Sequence, residues 1–230
     1  MITTSIQDEI AIQLDAESVE KTLSIVELIK SGGLAGQLII ALLTVLLVVA
    51  LYIYFERLFT IKAASKVDPN FMNQIKDHVV NGKIEAAKAV CAQVNSPVSR
   101  LIDKGISRIG RPLADINSAI ENAGKLEVYS LEKNVSVLAT ISGAAPMIGF
   151  LGTVIGMILS IFEIANSGGQ IDIKLLADGL YTAMTTTVAG LVVGIVAYIA
   201  FNHLVGRTNK VVYQMEANSV EFLDLLNEPI

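Results

Sequence analysis

Three stretches without one charged residue constrain this chain more than any other feature: residues 34–55 (22 residues), 134–162 (29 residues) and 179–202 (24 residues). At about 1.5 Å of rise per residue, each helix is long enough to cross a hydrocarbon core of about 30 Å. Backbone in that environment must satisfy its own hydrogen bonds, which selects helices here. The expected fold is therefore all-α: a polytopic membrane protein with three transmembrane helices, long helices continuing out of the membrane and a soluble helical insertion. A composition of 53% hydrophobic and only 17% charged residues agrees.

The spans divide the chain into an N-terminal segment (1–33), transmembrane helix 1 (34–55), a helical domain (56–133), transmembrane helix 2 (134–164), a loop (165–178), transmembrane helix 3 (179–202) and a tail (203–230). The N-terminal segment carries five acids before its first base, unlike a cleavable signal peptide, so the first apolar segment is expected to stay in the mature protein. Within it, residues 17–30 place Val19, Leu23, Val26 and Ile29 near one face, the pattern of an amphipathic helix lying on the outer bilayer surface or against a neighbouring subunit. The loop holds Gly168 and Gly169, helix breakers that make spans 2 and 3 an antiparallel hairpin.

Charge sets the orientation. Of 17 Lys and Arg, 12 lie in residues 56–133, with two before span 1, one in the hairpin loop and two after span 3. The positive-inside rule puts residues 56–133 and the C-terminus in the cytoplasm, with the N-terminus and the hairpin loop outside. Glu56 and Arg57 mark the inner boundary of span 1.

In the insertion, Phe71, Ile75 and Val79, and again Val98, Leu101, Ile102, Ile106 and Ile109, recur at helical spacing, with Pro69, Pro97 and Pro112 near helix starts. These features predict a small helical bundle. From Leu113 to Lys133 Gly124 is the one breaker, so this stretch is expected to run without interruption into span 2.

Span 2 sets Gly149, Gly152, Thr153, Gly156 and Ser160 on one small-residue face, and span 3 answers with Ala183, Thr186, Thr187, Gly190 and Gly194. Such faces let two helices approach closely, and packing alone accounts for the glycines. The crowded hydroxyls of Thr182, Thr185, Thr186 and Thr187 either bond to carbonyls of their own helix or form a wetted wall. Thr153 lies about 13 Å in depth from the outer end of span 2 and Thr187 about 12 Å from that of span 3, which places their hydroxyls at one level. Pro146 removes a backbone hydrogen bond within span 2 and is expected to bend it.

No Asp, Glu, Lys, Arg or His falls deep within any span. Ser and Thr hydroxyls do not titrate near neutral pH, so a proton path here needs a carboxylate from another polypeptide. Other chemistries find little support. His78 and His203 stand alone, no metal-ligand or nucleophile spacing and no phosphate-cradling loop occurs, and neither a cofactor nor enzymatic activity is expected. A net charge of −5 without a basic stripe argues against nucleic acid. Cys91 is the only cysteine, which leaves no intramolecular disulfide, and reads as a small buried apolar residue.

The segment AAPMIGFLGTVIGM (144–157) resembles the second-span signature of the MotA/TolQ/ExbB proton-channel family, nearest to its ExbB branch. GLYTAMTTTVAGL (179–191), FERL (55–58) and SPVSRLIDKGISRIG (96–110) are further matches, so the resemblance covers most of the chain. It implies a homopentamer in the inner membrane of a Gram-negative bacterium. Its second and third helices would line a pore around an ExbD- or TolR-like single-span partner, whose aspartate carries the proton. Thr153 and Thr187 match the family's pore threonines, with Thr182 and Thr186 beside them. The output implied is proton-motive force delivered to a TonB-like protein for outer-membrane transport. Two positions depart from the pattern: several relatives carry glutamate where Thr182 stands, and the ExbB and TolQ pattern often has proline where Val196 stands. A TolQ-like role, a gliding or secretion motor, and a non-conducting membrane scaffold are the alternatives.

Overall fold

The structure, a computed structural model, describes residues 33–66, 68–166 and 173–227. Among these are seven helices: α1 (Gly33–Ala64), α2 (Phe71–Val80), α3 (Ile84–Val94), α4 (Pro97–Ile106), α5 (Leu113–Glu132), α6 (Val135–Asn166) and α7 (Ile173–Asn227). The described residues contain no strand. Helices α1, α6 and α7 each contain a stretch long and apolar enough to cross a membrane, within Ala35–Ala64, Val135–Asn166 and Gly179–Asn227. All three helices are longer than the charge-free runs within them. The outer amphipathic helix expected at residues 17–30 and the glycine pair at 168–169 lie outside the described residues.

The chain forms two compact units. One comprises the described residues up to Ala41 with Ile148–Ala189, and the other Leu42–Met147 with the chain from Gly190 onward. The first unit holds the small-residue face of α6 and the Ala183, Thr186 and Thr187 part of that of α7, with the start of α1.

The second unit contains the helical bundle. Its core is built from the periodic positions: Phe71, Ile75, Val98, Leu101, Ile102 and Ile106 are buried, while Val79 and Ile109 are half-buried. Phe222, from the end of α7, is fully buried. Its ring lies where a Cβ on Gly105 of α4 would be 2.6 Å from Cε1, and Ile120 of α5 closes the same spot. Glycine at 105 is what permits this three-helix contact.

Local chemistry accounts for the helix ends. Pro97 occupies the first turn of α4, where a missing amide is harmless. Ser96 and Ser99 close a reciprocal cap, with Ser99 N donating to Ser96 Oγ (3.1 Å) and Ser96 N donating to Ser99 Oγ (2.8 Å). Asn95, with φ of 42°, ends α3 in the left-handed region that asparagine tolerates. Arg100 forks onto Glu127 of α5 through Nε and Nη2, both at 2.6 Å, and Nη1 donates to Asn95 Oδ1 at 3.1 Å. The Glu127 carboxylate beside it raises the Arg100 pKa above its ordinary value.

One expectation is corrected. The chain does not run unbroken from Leu113 into span 2: α5 ends at Glu132 and α6 starts at Val135. Lys133 is extended (ψ 129°) and Asn134 left-handed (φ 63°), so two residues interrupt the helix with neither Gly nor Pro present. Asparagine is among the few residues that take this conformation at low cost. Arg57 braces the break: its Nη1 donates to the Ser130 carbonyl at 3.2 Å, one of the acceptors a helix leaves unsatisfied in its last turn. Its guanidinium also pairs with the Glu56 carboxylate.

Candidate functional site

In the first unit, α6 and α7 approach closely because glycines face side chains. A Cβ on Gly156 would sit 3.1 Å from the Ala183 Cβ and 3.3 Å from the Gly179 carbonyl oxygen. One on Gly152 would strike the Thr186 hydroxyl, and one on Gly179 the Ser160 hydroxyl. From α1, Gly36 accepts the Thr182 methyl in the same way, at 2.7 Å. Removing side chains at these points brings the threonine hydroxyls of one helix within reach of the other helix's backbone.

The hydroxyls of Thr153, Thr186 and Thr187 converge there on two carbonyls. Thr153 Oγ1 donates to Ala183 O at 3.2 Å and is in hydrogen-bond contact with Thr187 Oγ1. Thr187 Oγ1 reaches Gly149 O at 3.2 Å. Thr186 Oγ1 lies 3.3 Å from the same oxygen and 2.8 Å from Ala183 O. Thr153 and Thr187 therefore meet at one level, the level that their depths in the two spans give. Helix-internal bonds take other hydroxyls, as Thr185 Oγ1 does by donating to Tyr181 O at 2.9 Å.

Exposure sorts the four threonines singled out in the sequence. Thr186 is fully buried and Thr182 is 7% exposed, so both are packed inside the chain. Thr153 and Thr187 are half-buried and keep surface outside it. Gly149, Gly152 and Gly190 are buried and Gly156 half-buried, consistent with helix packing.

Pro146, Glu56 and Arg57 belong to the second unit and are not part of this cluster. α6 continues through Pro146 without interruption. Proline there leaves the Ser142 carbonyl without its usual donor four residues on. Gly194 of α7 packs against this spot: a Cβ on it would lie 2.6 Å from Pro146 Cγ and 3.1 Å from Ser142 O. The Gly194–Pro146 pairing escapes a reading that lists each helix's small residues separately.

Among the described residues, Arg57 is the one charged side chain that is buried, and no group of three or more His, Cys, Asp or Glu is placed to hold a metal ion. Apolar surface is abundant on the long helices. Phe150, Val154, Ile158 and Phe162 of α6 are exposed, as are Met184, Val188, Val192 and Ile195 of α7. These side chains suit lipid or other helices.

Three apolar helices, two of them joined by a polar cluster with no charge in it, define a membrane protein built for intramembrane helix contact. The sequence model of the MotA/TolQ/ExbB proton channel family matches residues 93–217, more than half of the chain. The chain belongs to that family. It is 26% identical over 194 residues to a putative biopolymer transport protein ExbB homolog of Methanothermobacter thermautotrophicus, covering 84% of this chain and 67% of that one. To the biopolymer transport protein ExbB of Helicobacter pylori it is 38% identical over 79 residues, 34% of this chain and 54% of the relative, so the match spans about half of that protein's length. To the Tol-Pal system protein TolQ of Pseudomonas aeruginosa it is 23% identical over 214 residues, covering 88% of this chain and 92% of the relative.

Proposed function

We propose that this chain is an ExbB-like channel subunit of a proton-driven motor in a bacterial inner membrane. In this reading several copies, five by resemblance to the family, surround a single-span ExbD-like partner whose intramembrane aspartate takes up and releases the proton. The complex passes proton-motive force to a TonB-like protein for outer-membrane transport. The chain's N-terminus is periplasmic, while residues 56–133 and the C-terminal part of α7 are cytoplasmic, where most Lys and Arg lie.

The observation that carries this reading is the Thr153–Thr187 pair. Two half-buried hydroxyls face each other at one level in spans with no acid deep within them. Hydroxyls accept and donate hydrogen bonds without titrating, so such a wall can solvate a moving carboxylate or its proton without holding either. Thr182 and Thr186 form the packed layer behind it. The family supports the channel role, and the ExbB-named relatives favour the ExbB-like assignment.

A TolQ-like role is the second reading, favoured by the TolQ match that covers 92% of that relative. A gliding or secretion motor would use the same machinery, and a non-conducting scaffold would need only the glycine faces.

Conservative substitution separates channel from scaffold. Thr153→Val and Thr187→Val remove one hydroxyl each at nearly constant volume. With the partner co-expressed, each variant should assemble at wild-type mass and lose at least tenfold in proton-dependent transport. Full activity in the double variant would support the scaffold and reject the channel role.

A further inference from the structure

A groove of about 560 Å³ runs between α5 and α7 in the second unit, outside the three charge-free runs. Its lining positions extend from Asn117 to Glu132 on α5 and from Val212 to Leu223 on α7, on both helices in alternating steps of three and one. That is the spacing of a continuous stripe along one helix face, about 22 Å long on α5 and about 16 Å on α7. Two such stripes form the seat of a further helix of about three to four turns. Leu101, Ile120 and Met215 make a buried apolar floor, while Tyr129, 77% exposed, and Val220, 57% exposed, stand uncovered on the lips.

Gly124 supplies an independent observation. It sits in the middle of the α5 stripe, inside a 20-residue helix that glycine weakens relative to alanine. Packing within the chain does not call for it: a Cβ there would meet Leu101 Cδ2 at 3.6 Å, an ordinary contact, whereas one on Gly105 would collide with Phe222 at 2.6 Å. A missing side chain at 124, with the small Ser219 on the other stripe, gives a backbone arriving from outside room to approach closely.

Charge selects the occupant. The groove carries Glu121, Glu132 and Glu216 against Lys125, and Lys125 is engaged by Glu121 at 2.8 Å. Glu132 and Glu216 are exposed and have no ion-pair partner among the described residues. This acid excess repels an anionic lipid surface and attracts Lys and Arg. The basic residues of α2, α3 and α4 do not supply the occupant, because they stand on helices whose apolar faces are already buried in the bundle.

We propose that the α5–α7 groove is a docking site for an amphipathic, basic helix of another polypeptide. The apolar face of that helix lies over Gly124 and Ser219, between Tyr129 and Val220, and its Lys or Arg side chains reach Glu132 and Glu216. No residue of the Thr153–Thr187 cluster takes part, so docking here neither requires nor excludes the channel role.

Photocrosslinking of the purified full-length chain in a neutral detergent tests this, with benzoylphenylalanine in place of Tyr129 on the groove lip, or of the exposed Tyr213 outside the groove as a position control. The probes are two synthetic helical peptides of about 16 residues with leucine and alanine on one face and either lysine or glutamate on the other. Because the adduct reports position, partition of a peptide into detergent micelles does not mimic docking. From position 129 the lysine peptide should give at least about fivefold more adduct than the glutamate peptide, and from position 213 little of either. Glu132→Lys combined with Glu216→Lys should reverse the preference at an unchanged melting temperature, and Gly124→Leu should reduce both adducts. Equal yields from the two peptides, equal yields at the two positions, or a preference untouched by the charge reversal would overturn the site. So would a crosslinked dimer of this chain as the main product from position 129, because a second copy would then fill the groove.

Discussion

The Thr153–Thr187 pair shows how two hydroxyls can bond across a helix contact without being enclosed. Each hydroxyl satisfies itself on the facing helix's backbone and still keeps some exposure, whereas Thr186, one residue away, is wholly enclosed. Cys91 illustrates the opposite outcome. Burial in α3 and the nearby Asp103 carboxylate push its thiol pKa up to about 12. At pH 8 only on the order of one thiol in ten thousand is then ionised. Maleimide or iodoacetamide should label the folded protein negligibly at pH 8 and label it fully once unfolded; rapid labelling of the native form would contradict the burial. Because the folded chain holds this proton more tightly than the unfolded one, the stability it contributes is complete below pH 9 and declines as pH rises toward 12. Ser96 is a simpler case. Replacing it with alanine removes the cap on α4 and leaves Ser99 N without its acceptor, so unfolding should become easier by about 1–2 kcal/mol in denaturant titration. An unchanged midpoint would mean that the cap contributes nothing.

At the scale of elements, close approach of helices decides the architecture. Gly194→Ala would press a methyl into Pro146 and the Ser142 carbonyl, at 2.6 Å and 3.1 Å, and should cost about 1–3 kcal/mol as overpacking. Pro146→Ala in the same chain should recover much of that loss, since the two sites share one contact. Thermal unfolding of both single variants and the double variant measures the coupling; strictly additive losses would dissociate the two residues. The spans were legible because charge-free runs of 22 to 29 residues have few other folds available. The bundle was legible because Phe71, Ile75, Leu101 and Ile106 keep helical register. The break at Asn134 was not, because asparagine enters the left-handed region without the signature that glycine or proline leaves. Neither was the Arg57 brace on Ser130, 73 residues along the chain, since nothing local announces a partner so distant. The hydroxyl level was predictable from depth, but which threonines keep exposed surface depends on helix rotation, which spacing alone does not specify.

For the whole molecule, the distribution of charge matters more than any single group. The three membrane-crossing stretches contain acceptors and donors but no acid deep within them, and Arg57, the buried charge among the described residues, is paired with Glu56. In the proposed role, a channel subunit made this way would stay passive toward protons until a second polypeptide supplied a carboxylate. Proton flux into liposomes tests that division of labour most directly, with the purified chain reconstituted alone and together with a single-span partner bearing a membrane aspartate, and an internal pH dye following an imposed gradient. The account predicts a background leak for the chain alone, and flux that appears with the partner and disappears when the partner's aspartate becomes asparagine. Specific dissipation of the gradient by the chain alone would contradict it.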